Sequence, residues 1–298
     1  MSKAPIALFV YKRPEHAERT LKSLSRCKSA DESELYIFCD GYKGAKDAEG
    51  VAEVRKVVRS RKWCKKINII EQDKNIGLSN SIIYGVTEVC NRYGRVIVIE
   101  DDLLTSKYYL DYMNKALDIF ENNERVMQIS GHMFPVNIQT GTNSFFLPYT
   151  TSWGWATWGR AWGFFDKYAK GYDVLKKDSE MRNRFNLGGS YPYYRLVRSH
   201  LSGKVDSWDV CWYLSVFMQN GLTLHPARTL VQNIGFGSGT HGIFRNKDLS
   251  LSHNDYQVLT FPEKAEISEE PFAEIKKYLK SNNGILKKVI KEALSWIS

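Results

Sequence analysis

The chain has 298 residues, 43% of them hydrophobic and 25% charged, an ordinary globular balance, and a formal charge of +9 that suits an anionic partner without choosing a nucleotide, a nucleic acid or a membrane surface. Five scattered cysteines, odd in number and without a C-x-x-C pair, argue against a disulfide framework. No segment reaches the ~20 apolar residues needed to cross a bilayer, and "MSKAPIALFVYKRPEH" has too short an apolar run for a secretory signal, so a cytoplasmic location is expected.

In chain order, "PIALFVY" reads as a buried strand and "EHAERTLKSLSRC" as a helix with Ala17, Leu21 and Leu24 at helical spacing. "LYIFCD" is a second strand, "AEVRKVVRSRKW" a helix, "INIIEQD" a third strand, "LSNSIIYGVTEVCNRY" a helix and "RVIVIEDD" a fourth strand. This alternation predicts a parallel sheet covered on both faces. "KYYLDYMNKALDIFENN" continues as a helix and "RVMQISGHM" as a strand. The second half is less regular and rich in aromatics, with a helical "VLKKDSEMRNRF" between "TTSWGWATWGRAWGFFD" and "SHLSGKVDSWDVCWYLSVFMQNG". Expected boundaries are a main domain over 1–250, in two halves over 1–105 and 106–250, then a helical tail over 251–298.

In such a sheet, ligands bind beyond the carboxyl ends of the strands. Three of those ends are polar: Tyr11-Lys12-Arg13-Pro14, Asp40-Gly41 and Glu100-Asp101-Asp102. Three consecutive carboxylates at the mouth of a core ask for a cation, and a divalent metal bridging a diphosphate would supply one. The plain alternative is a solvated acidic loop. Asp40 and Asn75 also read as turn or cap residues, and Ser207 or Asp209 as a cap of the helix that follows.

"VIVIEDDLLTSKYYLDYMNKAL" resembles the E-D-D variant of the D-x-D motif in GT-A glycosyltransferases, and is similar to that of the N-acetylglucosaminyltransferase I-like enzymes and of bacterial nucleotide-sugar transferases like them. The resemblance spans Pro5 to about Gly242 and rests also on the strand order, a Gly-Trp segment and the later "SWD". It implies an α/β GT-A fold with a mostly parallel sheet, an irregular acceptor half and C-terminal amphipathic helices. It implies Asp102 as ligand of Mn²⁺ or Mg²⁺, with Asp101 and Glu100 facing ribose and sugar. Arg13 would approach the nucleotide, Asp40 would accept from the uracil N–H, and Asn75 and Gly77 would lie near the nucleotide. Gly154 and Trp155 would line the sugar pocket, Asp209 would be the general base with Asp206 its rival, and His241 would reach the metal. At the position after Asp209 the chain departs from the pattern, with Val210 in place of a second acid.

The implied activity is metal-dependent, inverting transfer of a sugar from a UDP-sugar to a hydroxyl of a glycan or lipid-linked glycan, in surface polysaccharide synthesis. A sugar nucleotidyltransferase would need a glycine in the loop after the first strand, which "VYKRPEH" lacks. A basic nucleic-acid-binding protein would need a Lys/Arg stripe with stacking aromatics, and here the basic residues are spread out; no nucleic-acid partner is expected. The tail places Ile285, Leu286, Val289, Ile290, Ala293, Leu294 and Ile297 on one face and Lys287, Lys288 and Lys291 on the rest. This suits docking on the protein or peripheral contact with an anionic inner membrane face; oligomeric state is not legible.

Overall fold

The computed structural model describes residues 2–138, 141–235 and 256–282. His241 and the tail residues Ile285 to Ile297 lie outside the described residues. The chain opens as β1 (Ile6–Val10), α1 (Pro14–Ser25), β2 (Glu34–Cys39), α2 (Ala45–Arg59), β3 (Lys66–Glu71), α3 (Leu78–Tyr93) and β4 (Arg95–Glu100). These seven elements follow the expected alternation. Continuous apolar runs such as Ile6–Val10 form strands buried on both faces, as a two-sided parallel sheet requires.

The remainder is β5 (Leu103–Thr105), α4 (Tyr109–Ile119), β6 (Val126–Ser130), β7 (Ser144–Leu147), β8 (Trp155–Trp158), α5 (Gly159–Trp162), α6 (Tyr172–Lys177), α7 (Ser179–Phe185), α8 (Tyr193–Leu201), α9 (Trp208–Met218), β9 (Leu222–Pro226) and β10 (Val231–Asn233). A last helix, α10, covers 269–282. The main sheet has the order β3-β2-β1-β4-β8-β6-β9-β7, and β5 pairs separately with β10. Strands β3, β2, β1 and β4 are mutually parallel, β8 lies antiparallel to both β4 and β6, and β7 is antiparallel to β9. The protein is thus an α/β fold with a mostly parallel eight-stranded sheet.

Strand alternation assigns the two faces. Ile6, Leu8, Leu35, Ile37, Ile97 and Ile99 pack with α1, α2 and α4. Ala7, Phe9, Phe38, Val96 and Val98 pack with α3, α5 and α9. A third core joins α7, α8, α9 and α10 through Phe185, Val197, Tyr213 and Ile275. All five cysteines are unpaired and buried. No helix among the described residues is long and apolar enough to cross a membrane.

Three boundaries differ from the expectation. β4 stops at Glu100, and Asp101 and Asp102 form a turn instead of extending the strand. The turn is pinned where the Thr20 hydroxyl donates to the Asp101 carbonyl at 2.8 Å and the Ile234 amide to the Asp102 carbonyl at 2.8 Å. The single helix expected over "VLKKDSEMRNRF" is broken in two, because the Asp178 carboxylate accepts from the Met181 amide at 2.9 Å and caps α7. "WATW" forms β8 and enters the sheet between β4 and β6.

Candidate active site

The acidic turn is answered from within the chain. Pro14 starts α1, with its ring fixing the first helical φ, and so sets Arg13 at the carboxyl end of β1 beside β4. One guanidinium nitrogen of Arg13 donates both to Asp101 and, at 3.1 Å, to the Oδ2 of Asp102. The Tyr11 amide adds a long contact of 3.4 Å to Asp101. Burial works against the Arg13 charge, but Asp101 and then Asp102 outweigh it and push its pKa upward. Burial raises the Asp101 carboxyl, with Arg13 opposing that rise. Glu100 is raised well above the usual carboxylate range, first by burial, then by repulsion from Asp102 and Asp101; Arg13 opposes and Asp209 adds to the rise.

Glu100 shares the sheet face of Val96 and Val98, the face covered by α9. Asp209 stands in the first turn of α9 with an exposed side chain, near enough to Glu100 for its charge to add to that rise. The Ser207 hydroxyl donates to the Asp209 carboxylate and makes no cap hydrogen bond, so the capping reading of Ser207 is corrected. Asp206 is exposed on the turn before α9. Buried Tyr191 and half-buried Tyr193 lie close enough to Asp209 for its charge to add to the rise in their pKa values, which desolvation dominates.

Asp40 forms a separate construction. Its Oδ1 accepts from the amides of Gly41 (2.8 Å) and Ile76 (2.9 Å), and its Oδ2 from Asn75 Nδ2 (2.9 Å) and the Gly77 amide (3.0 Å). Four donors fill the roughly four lone-pair sites of a carboxylate. The expectation that Asp40 accepts from a uracil N–H is therefore corrected: it clasps the loop after β3 to the loop after β2. Asn75 completes the clasp by donating to the Gly41 carbonyl at 2.9 Å. Gly77 has φ +82 and open space where a Cβ would stand, so conformation, not a crowded approach, selects glycine there. Beside the clasp, Asp47 accepts from the Tyr11 hydroxyl and the Lys12 ammonium, each at 2.7 Å.

The aromatic segment is largely core. Trp155 is fully buried and stacks on Trp208 with ring centroids 5.4 Å apart. Its faces are closed to a sugar, which corrects its expected role in a pocket. Gly154, at φ +58, gives its carbonyl to the Gly131 amide at 2.6 Å, and a Cβ there would meet Val231 and Tyr109. Its small size thus serves packing. This turn also sends Trp153 to the opposite face of the sheet, against the His132 ring at 4.6 Å. Trp158 and Trp162 are buried, as expected of core residues.

The structure thus gathers Arg13, Asp101 and Asp102 at one turn next to Glu100, where the charge of Asp209 is felt, with Asp40, Asn75 and Gly77 clasping the loops after β2 and β3. Sequence reasoning missed Thr20 and Ile234, whose hydroxyl and amide hold the turn from α1 and from the end of β10; neither carries a motif that would mark it. Among the described residues no three His, Cys, Asp or Glu side chains are arranged to hold a metal ion. Asp102 meets a guanidinium where a metal centre would need further oxygen or nitrogen ligands. Of the two expected metal ligands, Asp102 is thus paired with Arg13, and His241 lies outside the described residues.

The sequence matches no protein-family model and no curated protein. Among solved structures the chain is similar to GalNAc-T7 with UDP, GalNAc and Mn²⁺, at 8% identity over 78% of this chain and 44% of that chain, TM-score 0.48. It is similar to S. aureus TarS at 13% identity over 58% of this chain and 30% of that chain, TM-score 0.34. It is also similar to apo mouse xyloside xylosyltransferase 1 at 12% identity over 73% of this chain and 82% of that chain, TM-score 0.38. The chain therefore spans less than half the length of GalNAc-T7.

Proposed function

We propose that the protein is a glycosyltransferase that moves a sugar from a UDP-sugar to a hydroxyl of a glycan or lipid-linked glycan acceptor. The observation that carries this reading is the pairing of Arg13 with the acidic turn at the carboxyl edge of a parallel sheet, with the exposed Asp209 carboxylate close enough for its charge to reach Glu100. N-acetylglucosamine is the donor sugar to which the E-D-D resemblance points, and surface polysaccharide assembly is the setting it implies.

In this reading Asp209 takes the proton of the acceptor hydroxyl, the acceptor oxygen attacks the anomeric carbon, and the bond from that carbon to the diphosphate oxygen breaks as UDP leaves. The attack inverts the anomeric centre. Ser207 steadies the Asp209 carboxylate through its hydroxyl. Glu100, shifted toward its protonated form, can both donate to and accept from sugar hydroxyls. Lys12, Arg13 and Lys74 line the same strand-end loops and provide positive charge toward phosphate oxygens. The divalent ion that the resemblance implies enters no step, because the described residues hold Arg13 at Asp102.

The test is transfer from a panel of UDP-sugars by wild type and Asp209→Asn. Loss of a general base predicts a kcat lower by about 10²–10⁴ with UDP affinity retained. Equal turnover in the variant would remove Asp209 from the mechanism, and equal loss in Asp206→Asn would move the base there.

A further inference from the structure

The acids of the turn already have a cation, and its geometry decides who else can bind. Arg13 reaches both carboxylates through the same nitrogen, but the two contacts are unequal. The Asp101 side chain is 6% exposed, takes the shorter contact and is also met by the Tyr11 amide. The Asp102 side chain is 16% exposed and takes the 3.1 Å contact at Oδ2. Gly235 also closes on that carboxylate: a Cβ there would collide with it and come within 3.1 Å of Arg13 Nη1. The Ile234 amide holds the adjoining backbone to the Asp102 carbonyl. Oδ2 therefore lies between a guanidinium and a strand-end backbone.

We propose that Arg13 is the resident counter-cation of the acidic turn, and that a divalent cation reaches Asp102 only by displacing it. A divalent ion is a hard Lewis acid that needs the same carboxylate oxygen, and a +2 ion beside a guanidinium adds strong repulsion at contact distance. Asp101 keeps Arg13 when Asp102 lets go, because it is the more buried of the two carboxylates and takes the shorter contact. Cation occupancy is thereby made weak until something else draws Arg13 away. An anionic diphosphate offers a guanidinium such a partner. This last link rests on the UDP-sugar reading; the competition itself does not.

The experiment is a titration of Mn²⁺ into the full 298-residue chain without nucleotide, following free Mn²⁺ by electron paramagnetic resonance. Wild type is expected to bind weakly, and Arg13→Gln at least about tenfold more tightly. Adding Asp102→Asn to Arg13→Gln is expected to erase the gain. Arg13→Lys keeps a charge for Asp101 but loses the fork; it should bind severalfold more tightly than wild type, and it decides the matter if Arg13→Gln does not fold. Affinity unchanged or weakened in both Arg13 variants would overturn the proposal, as would a gain that survives Asp102→Asn. A separate UDP titration keeps the two readings distinguishable: a protein that fails to bind UDP yet shows the Arg13 effect loses the nucleotide reading and retains this one.

Discussion

The loops around the acidic turn and the framework that carries Asp209 are held by different forces. On the β1–β4 side, loops are fixed by charge and hydrogen bonds: Arg13 to the acidic turn, Asp40 to four donors, Asp47 to Tyr11 and Lys12. On the β8–α9 side the framework is apolar, with Trp155, Trp162, Trp208 and Trp212 in mutual ring contact beneath Asp209. The polar side can exchange partners at low cost because each contact has an aqueous or ionic substitute. The aromatic side cannot, and this rigidity is what a carboxylate acting on a bound acceptor needs.

If that contrast holds, the largest single effect comes from the aromatic side. Trp155→Ala removes a fully buried indole and should destabilise the fold by about 3–5 kcal/mol, read as a fall in the urea midpoint. A loss below about 1 kcal/mol would mean that the cluster is not a rigid support. Asp40→Ala comes next. It strands the amides of Gly41, Ile76 and Gly77 and should cost about 2–3 kcal/mol, together with faster amide exchange over Asp73 to Gly77. Unchanged exchange there would show the clasp to be redundant.

The buried histidines probe a third place, between β6 and β9. His132 is lowered to about 3 by burial and by the nearby His225, and His225 is lowered to about 4 by burial. Their folded pKa values lie below the ordinary 6.5, so below that pH the unfolded chain takes up protons that the folded chain refuses. Stability from this pair is full above about pH 6.5 and is lost as pH falls toward about 4. Glu100 has the opposite sign: its raised pKa favours the folded state at low pH, and that contribution is lost as pH rises through the folded value. A His225→Gln variant should therefore show a shallower loss of urea midpoint between pH 6.5 and 4.5 than wild type; an identical slope would assign the acid sensitivity elsewhere. The smallest expected change is the stability of Asp209→Asn, within about 0.5 kcal/mol of wild type, because that side chain is exposed at a helix start.

The first half of the fold was legible because its signals are local. Apolar runs alternating with amphipathic helices give β1 to β4 within a residue or two, and both faces of the sheet carry helices as that pattern requires. The insertion of β8 was not legible: four residues of "WATW" look the same as pocket aromatics until β4 and β6 are seen to flank them. The site divides in the same way. A carboxylate ending an apolar strand marks Asp40 as special, but whether its donors come from a ligand or from the chain depends on contacts 35 to 37 residues away. Arg13 reads as a loop cation, and its partners lie 88 and 89 residues further on, set by the register of β1 on β4.

The central proposal is that Asp209 acts beside a strand edge that binds UDP. Calorimetric titration of UDP into wild type, Asp209→Asn and Asp102→Ala, each with and without Mn²⁺, tests it most directly. The account predicts saturable one-to-one binding in wild type, the same affinity in Asp209→Asn, and no loss in Asp102→Ala without Mn²⁺, since that change frees Arg13 for the diphosphate. Absence of UDP binding to the wild-type protein under both conditions would contradict it.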